Sequence, residues 1–308
     1  MIKLVLTETI KKHTKILKGE YLFMTIQDNF STFEISRADT FRFRSIVIEL
    51  MTEAAKIGDA DEEYGGIGTL SEKQMHAAIK RFICPDESCH EIPLDNGERA
   101  GETDESGNKI KRRKFVADIL KNGNVYEIQT GALPPLTEKI KWILENTSHT
   151  VTVIHPIAET KWVNVLDKNN DLERRYRSTL KGKLNDIAPE LYAFKDVVAS
   201  PRFSLVILFM EAEQYIKAAA KKGRSRQKYK KYELIPVNLL RAQVFRSLDD
   251  YKTFIPEALD GEFTVKEFSA KSKIRCRDAY LTVYSLCNLG LIEECGKIGR
   301  AKAFRKTY

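Results

Sequence analysis

At 308 residues the chain is long enough for two packed domains, and a hydrophobic content of 43% supplies their cores. A net charge of +8 and a pI near 9.0 favour an anionic partner such as nucleic acid, with a basic but indifferent surface as the bland alternative. No apolar run is long enough to span a membrane, and "MIKLVL" passes at once into the polar "TETIKKHTK", so no signal peptide is expected. Cys84, Cys89, Cys276, Cys287 and Cys295 are odd in number and widely scattered, which points to reduced thiols in a cytoplasm.

Residues 1–60 read as an N-terminal extension, with a strand at "GEYLFMTI" and an amphipathic helix at "TFRFRSIVIELMTEAAKIG". The acidic break "DADEEYGG" closes it. A second helix follows at "GTLSEKQMHAAIKRFI", with Thr69 as N-cap and Met75, Ala78, Ile79 and Phe82 as its apolar face. "HEIPL" is a short strand, and "DNGERAGETDESGNKIKRRK" a long polar excursion. "PPLTEKIKWILEN" is a helix with Leu136, Ile140, Ile143 and Leu144 at helical spacing. "VTVIHPIA" reads as a central strand and "KWVNVLD" as its hairpin partner. Residues 173–200 read as helical and basic at their start, "FSLVILFMEAEQY" as a strand, and "PVNLLRAQVFRSL" as a helix. The domains expected are 1–60, a nuclease-like core over 61–216, a basic linker over 217–233 and a C-terminal module over 234–308. The linker's run from Lys217 to Lys231 holds eight Lys or Arg, and the alternatives are a solvated connector or an arm whose Tyr229 and Tyr232 stack on bases.

The stretch "KFVADILKNGNVYEIQTGAL" carries the chemistry. Asn122-Gly123 between apolar runs predicts a two-residue hairpin turn. That turn sets Leu120 against Val125, Ile119 against Tyr126 and Asp118 against Glu127. One face is then apolar: Ala117, Ile119, Tyr126 and Ile128. The other sets Asp118, Glu127 and Gln129 among Val116, Leu120 and Val125. Like charges opposite each other are destabilising. Either the acids point outward from a solvated tip, or they share a proton, or they bind a cation. Mg²⁺ suits such oxygen ligands.

"ADILKNGNVYEIQ" resembles the catalytic hairpin of the PD-(D/E)xK nucleases, the restriction-endonuclease-like fold. Asp118 matches the first acid and Glu127 the second, while Gln129 stands where the family usually has Lys. The resemblance covers roughly residues 65–170 and implies an α/β fold with a mixed sheet flanked by helices. It implies that Asp118, Glu127 and the Ile128 carbonyl hold Mg²⁺, with Mn²⁺ as a substitute, and that two copies pair as a homodimer. Gln129 can orient a water but adds no charge, so either a stronger reliance on the metal or a lysine from elsewhere is expected, with Lys80, Lys114 and Lys139 as candidates. Glu72 is the candidate helix carboxylate. It shares a stripe with His76 and Lys80, and its alternative role is a capping box in "TLSE".

The C-terminal "EFTVKEFSAKSKIRCRDAYLTVYSLCNLGLIEECGKIGRAKAFRKTY" resembles a winged helix-turn-helix domain. Its second helix would lead into the major groove with Lys273, Arg275 and Arg277, and its wing would offer Lys297, Arg300 and Lys302 to phosphates. Ten Lys or Arg stand against four acids between Thr264 and Tyr308, and the alternative is a winged helix used for protein contact. "CPDESCH" lacks the second cysteine pair of a zinc ribbon, and no P-loop or nucleophile elbow is present. No organic cofactor and no membrane partner are expected. The sequence therefore points to a Mg²⁺-dependent endonuclease acting on double-stranded DNA. The alternative is a DNA-binding regulator, or an assembly subunit, with a non-catalytic nuclease-like domain.

Overall fold

The computed structural model describes residues 32–58, 67–95, 114–167, 169–218 and 229–308. The strand expected at "GEYLFMTI", the acidic break, the polar excursion and most of the basic linker lie outside them. The fold is mixed α/β, with a large mixed sheet flanked by helices. In chain order come β1 (Thr32–Glu34), α1 (Arg37–Gly58), α2 (Ile67–Ile83), β2 (His90–Asp95), β3 (Lys114–Lys121), β4 (Asn124–Ile128) and α3 (Thr137–Asn146). Next are β5 (Thr150–Leu166), β6 (Leu172–Arg177), β7 (Phe203–Ala218) and β8 (Tyr229–Phe245). Last come β9 (Phe263–Thr264), α4 (Val265–Ser272), α5 (Cys276–Asn288), β10 (Ile292–Ile298) and β11 (Ala301–Lys306). The large sheet runs β1-β8-β7-β5-β4-β3-β2, with β6 also paired to β5. No described helix is long and apolar enough to cross a membrane.

The chain forms two compact units. The first comprises the described residues up to Glu87 together with Pro156–Gly182 and Leu208–Gln243. Its α1 opens on Ser36, whose hydroxyl accepts from the Asp39 N–H at 3.0 Å and donates to the Asp39 carboxylate at 2.7 Å. This reciprocal cap satisfies donors that a helix start leaves orphaned. Phe43 of α1 meets Phe82 of α2 edge to face, with ring centroids 5.5 Å apart, and the Arg42 guanidinium lies 4.1 Å from the Phe82 centroid. Met75, Ala78, Ile79 and Phe82 are all buried, as the helical spacing requires. Helix α2 begins at Ile67, so Thr69 lies within it and is not its N-cap.

Three element expectations in this unit are corrected. "PVNLLRAQVFRSL" is not a helix: most of it belongs to β8, which pairs antiparallel with β1 from Glu34↔Arg241 to Thr32↔Gln243. The boundary expected at 234 therefore falls inside a strand. "VTVIHPIA" and "KWVNVLD" do not form a hairpin: they are one 17-residue strand, β5. Its antiparallel partner is β6, with Trp162↔Arg177 and Val163↔Tyr176 in register. That stretch was expected to be helical, and sheet pairing overrides the propensity of its arginines.

The second unit comprises Ser88–His155, Lys183–Ile207 and Val244–Tyr308. β2, β3 and β4 form an antiparallel run, and β4 then pairs parallel with the start of β5. α3 buries Ile140, Trp142 and Ile143. Arg202 closes the end of α3: its guanidinium donates to the carbonyls of Leu144, of Thr147 at 2.8 Å and of His149 at 3.1 Å. The rest of the expected helix over 173–200 is short 3₁₀ turns at Leu184–Asp186 and Ala188–Phe194. At the C-terminal end, β10, β11 and β9 make a three-stranded antiparallel sheet beside α4 and α5. Thr264 caps α4 in a full capping box with Glu267. Lys273 turns the chain between the helices with φ 56°, and Gly290 ends α5 with φ +72°.

Candidate functional site

The site starts from the turn. Asn122 and Gly123 both take positive φ, 50° and 76°, which is what a type I′ hairpin turn demands. The Gly123 carbonyl accepts from the Thr150 N–H at 3.1 Å, and Asn124 Oδ1 accepts from the Thr150 hydroxyl at 2.7 Å. The hairpin is thereby anchored to β5. The ladder is Lys121↔Asn124, Leu120↔Val125 and Ile119↔Tyr126, as the turn dictates. At the next position side chain replaces backbone: Asp118 Oδ2 accepts the Ile128 N–H at 2.7 Å. The strands thus do not press the two carboxylates against each other as an ordinary cross-strand pair.

Glu127 is only 2% exposed. A solvated hairpin tip is therefore excluded. β4 sets Glu127 beside Val153 of β5, and α3 carries Lys139 to it. The Lys139 ammonium donates to Glu127 Oε2 at 2.5 Å and to the Val116 carbonyl at 2.5 Å. The other oxygen, Oε1, is buried and makes no hydrogen bond among the described residues. Burial pushes the Glu127 carboxyl up to about 7; the Lys139 charge opposes this and the Asp118 charge adds to it. A buried carboxyl oxygen without a donor is costly, and a cation is one way to satisfy it.

Of the three candidate lysines, the structure brings Lys139 to the carboxylates. Lys114 is exposed, with its ammonium 3.8 Å from Asp95, and Lys80 belongs to the other unit. Gln129 turns away from the expected role, since its amide donates to the Ala132 carbonyl at 2.7 Å. Glu72 lies on α2 in the first unit, and its side chain is outside the described residues.

Two residues of this neighbourhood were not foreseen. His155 is in the β5 position beside Gln129, one past the Ile128↔Ile154 pair, and its Nδ1 lies 2.8 Å from the Gln129 carbonyl. Burial lowers its pKa, while its hydrogen bond to Gln129 and the Glu190 charge oppose that shift. Glu190 accepts the Leu133 N–H at 2.6 Å and so ties the Ala188–Phe194 turn to the end of the hairpin segment. The signal for His155 was a histidine inside an otherwise apolar strand.

Asp118, the Glu127 carboxyl and the Ile128 carbonyl offer oxygen donors of the kind a hard cation takes. Among the described residues no three His, Cys, Asp or Glu side chains gather into a metal cluster, so a cation here would draw on backbone and water for its remaining ligands. All five cysteines are free thiols.

In the C-terminal segment the structure sets Lys273 in the turn before α5, Arg275 at its N-cap and Arg277 in its first turn, all exposed. Arg275 donates to Asp278 at 2.8 Å. Lys297, Arg300 and Lys302 share the exposed β10–β11 hairpin, where Lys302 bonds Glu294 at 2.7 Å.

Residues 99–246, just under half of the chain, match a family described as a domain of unknown function (DUF8091). The match includes β3 to β8, and so the carboxylate hairpin, but not the C-terminal helices and sheet. No curated protein and no solved structure matches the chain.

Proposed function

We propose that this chain is a metal-dependent endonuclease of the PD-(D/E)xK type, acting on double-stranded DNA. One observation carries the reading: a buried glutamate with an unpartnered oxygen, flanked by an aspartate from the neighbouring strand and by a lysine. Asp118, Glu127 and the Ile128 carbonyl would hold Mg²⁺ or Mn²⁺. When bound, the cation would lower the pKa of its water and neutralise charge on the scissile phosphate. Lys139 supplies the fixed positive charge that Gln129 lacks, and the Val116 carbonyl holds it in place. The order β9-α4-α5-β10-β11 supports a winged helix that brings the nuclease to duplex DNA in a cytoplasm, through Lys273, Arg275, Arg277, Lys297, Arg300 and Lys302. A homodimer would let two sites cut two strands.

The second reading is a DNA-binding regulator in which the hairpin is structural. The direct Lys139–Glu127 ion pair and the Gln129–Ala132 bond favour it. Incubating plasmid DNA with the purified chain and Mg²⁺ or Mn²⁺, beside Asp118→Ala and Glu127→Ala, separates the two. Cleavage by the wild type that both variants lose supports the nuclease. Binding without cleavage in either metal supports the regulator.

A further inference from the structure

Helix α5 presents an unusual outer face. Tyr280 is 58% and Tyr284 49% exposed, one helical turn apart, with Arg277 a turn before Tyr280 on the same side. The strip continues off the helix. Tyr192, 43% exposed on the Ala188–Phe194 turn, packs on Tyr284 with ring centroids 5.3 Å apart. Cations sit at both ends. Lys195 lies 5.8 Å from the Tyr192 centroid, and Lys302 of the β10–β11 hairpin is within electrostatic reach of Tyr280. Each keeps an acid nearby: Lys195 has Asp196 at 3.2 Å and Lys302 has Glu294 at 2.7 Å. Lys273, Arg277, Lys297 and Arg300 are exposed on the same module.

This face is poorly suited to lie full length in a major groove. Base edges are read by Arg, Lys, Asn, Gln, Ser or Thr side chains. Past Arg277 the outer face of α5 offers Tyr280, Leu281 and Tyr284, with Asn288 only at its far end, and Tyr192 already packs on Tyr284. Asn185 donates to the Ser272 carbonyl at 3.5 Å, which draws the preceding segment alongside as well. Exposed aromatic rings strung between cations are instead what unpaired bases bind, because every base has a face to stack and the cations take the backbone.

We propose that Tyr192, Tyr280 and Tyr284 form a stacking platform for unpaired bases, so that the C-terminal module prefers single-stranded DNA or a frayed end next to duplex. The proposal rests on the C-terminal module binding DNA, replaces duplex by DNA with unpaired bases as the form it holds most tightly, and is independent of whether the hairpin cuts. It gives the module a substrate class, DNA with unpaired bases, that its basic residues alone do not specify.

The test uses the full chain in chelator, so that nothing is cleaved, and fluorescence anisotropy with a labelled oligo(dT) and a duplex of equal length. The wild type is expected to bind oligo(dT) more tightly than duplex. Tyr192→Ala, Tyr280→Ala and Tyr284→Ala together are expected to weaken oligo(dT) binding at least about tenfold, since each stacked ring contributes several-fold or more. Duplex binding should fall less than about threefold. The Tyr→Phe triple variant keeps the rings and should bind oligo(dT) as the wild type does, which also guards against misfolding in the alanine variant. Equal loss on both DNAs, or no loss on oligo(dT), overturns the proposal. So does a wild-type dimer that the alanine variant converts to monomer with oligo(dT) binding unchanged, because the face would then be an interface between two copies. Plasmid cleavage is read separately, so failure of the nuclease reading leaves this result interpretable.

Discussion

Replacing Glu127 by glutamine tests the central feature of the site in the absence of any cation. Burial raises the Glu127 carboxyl from 4.5 to about 7 in the folded chain. Between those values the folded chain keeps a proton that the unfolded chain has released. The stabilisation is complete below pH ~4.5 and is lost as pH rises through about 7. A rise of that size is worth about 3 kcal/mol in full, of which about 1 is already lost by pH 5. The substituted amide cannot ionise, and its oxygen can still accept from Lys139. The stability of Glu127→Gln relative to wild type should therefore rise by about 2 kcal/mol between pH 5 and pH 8. Urea unfolding in chelator measures this, and the difference between the two proteins cancels groups that titrate alike in both. The charges facing Glu127 are Lys139, which opposes the shift, and Asp118, which enlarges it. A flat difference would mean that Lys139 fully compensates the burial. A difference of opposite slope would mean that the ion pair dominates, and Glu127 would then be a stabilised carboxylate with no need of a cation. Adding Mg²⁺ at pH 8 should stabilise the wild type, by about 2.7 kcal/mol at a hundred times its dissociation constant, and leave Glu127→Gln unchanged.

Lys139→Met removes the fixed cation beside the carboxylates and is expected to lower plasmid cleavage by about 100-fold, with oligo(dT) binding in chelator unchanged. Arg202→Ala leaves the carbonyls of Leu144, Thr147 and His149 without their guanidinium, and urea unfolding should show a loss of about 2–3 kcal/mol. Gly182→Ala would bring a Cβ to 2.5 Å from Ile157 Cγ2 and 2.8 Å from the Ala158 carbonyl oxygen, and a loss of about 2 kcal/mol is expected by the same assay.

The hairpin was legible because its constraints are local. Asn-Gly supplies two positive φ values, and the alternation on either side then fixes which residues share a face. β8 and β6 were not legible, because their partners are remote. The residues from Leu239 to Gln243 suit a helix well enough, and only pairing with Thr32–Glu34 makes them a strand. The break expected in β5 lay between Ala158 and Lys161, and Pro156 was read inside the strand. Along that strand the β4 ladder ends at Ile154 and the β6 ladder begins at Trp162, so the proline falls in the gap between those two ladders.

Lys139 is the instructive case. In the sequence it was one of three lysines with nothing to rank them, since all sit near elements of the expected nuclease core. The structure places it one turn before Ile143 and three residues after Leu136, on the stripe of α3 that faces inward. A lysine on an apolar stripe must either snorkel to water or find a buried acid. Glu127 is the buried acid, and it too looked anomalous by itself, as a carboxylate on a strand among Val116, Leu120 and Val125. Each anomaly carries a cost that the other offsets, and the pair leaves one oxygen, Glu127 Oε1, still unsatisfied. Two misplaced charges of opposite sign, one on a helix stripe and one on the strand before it, were thus a readable signal for a buried pair. What the sequence could not supply was the rotation of α3 over the hairpin, which Ile140, Trp142 and Ile143 set by burial and which brings the ammonium within 2.5 Å.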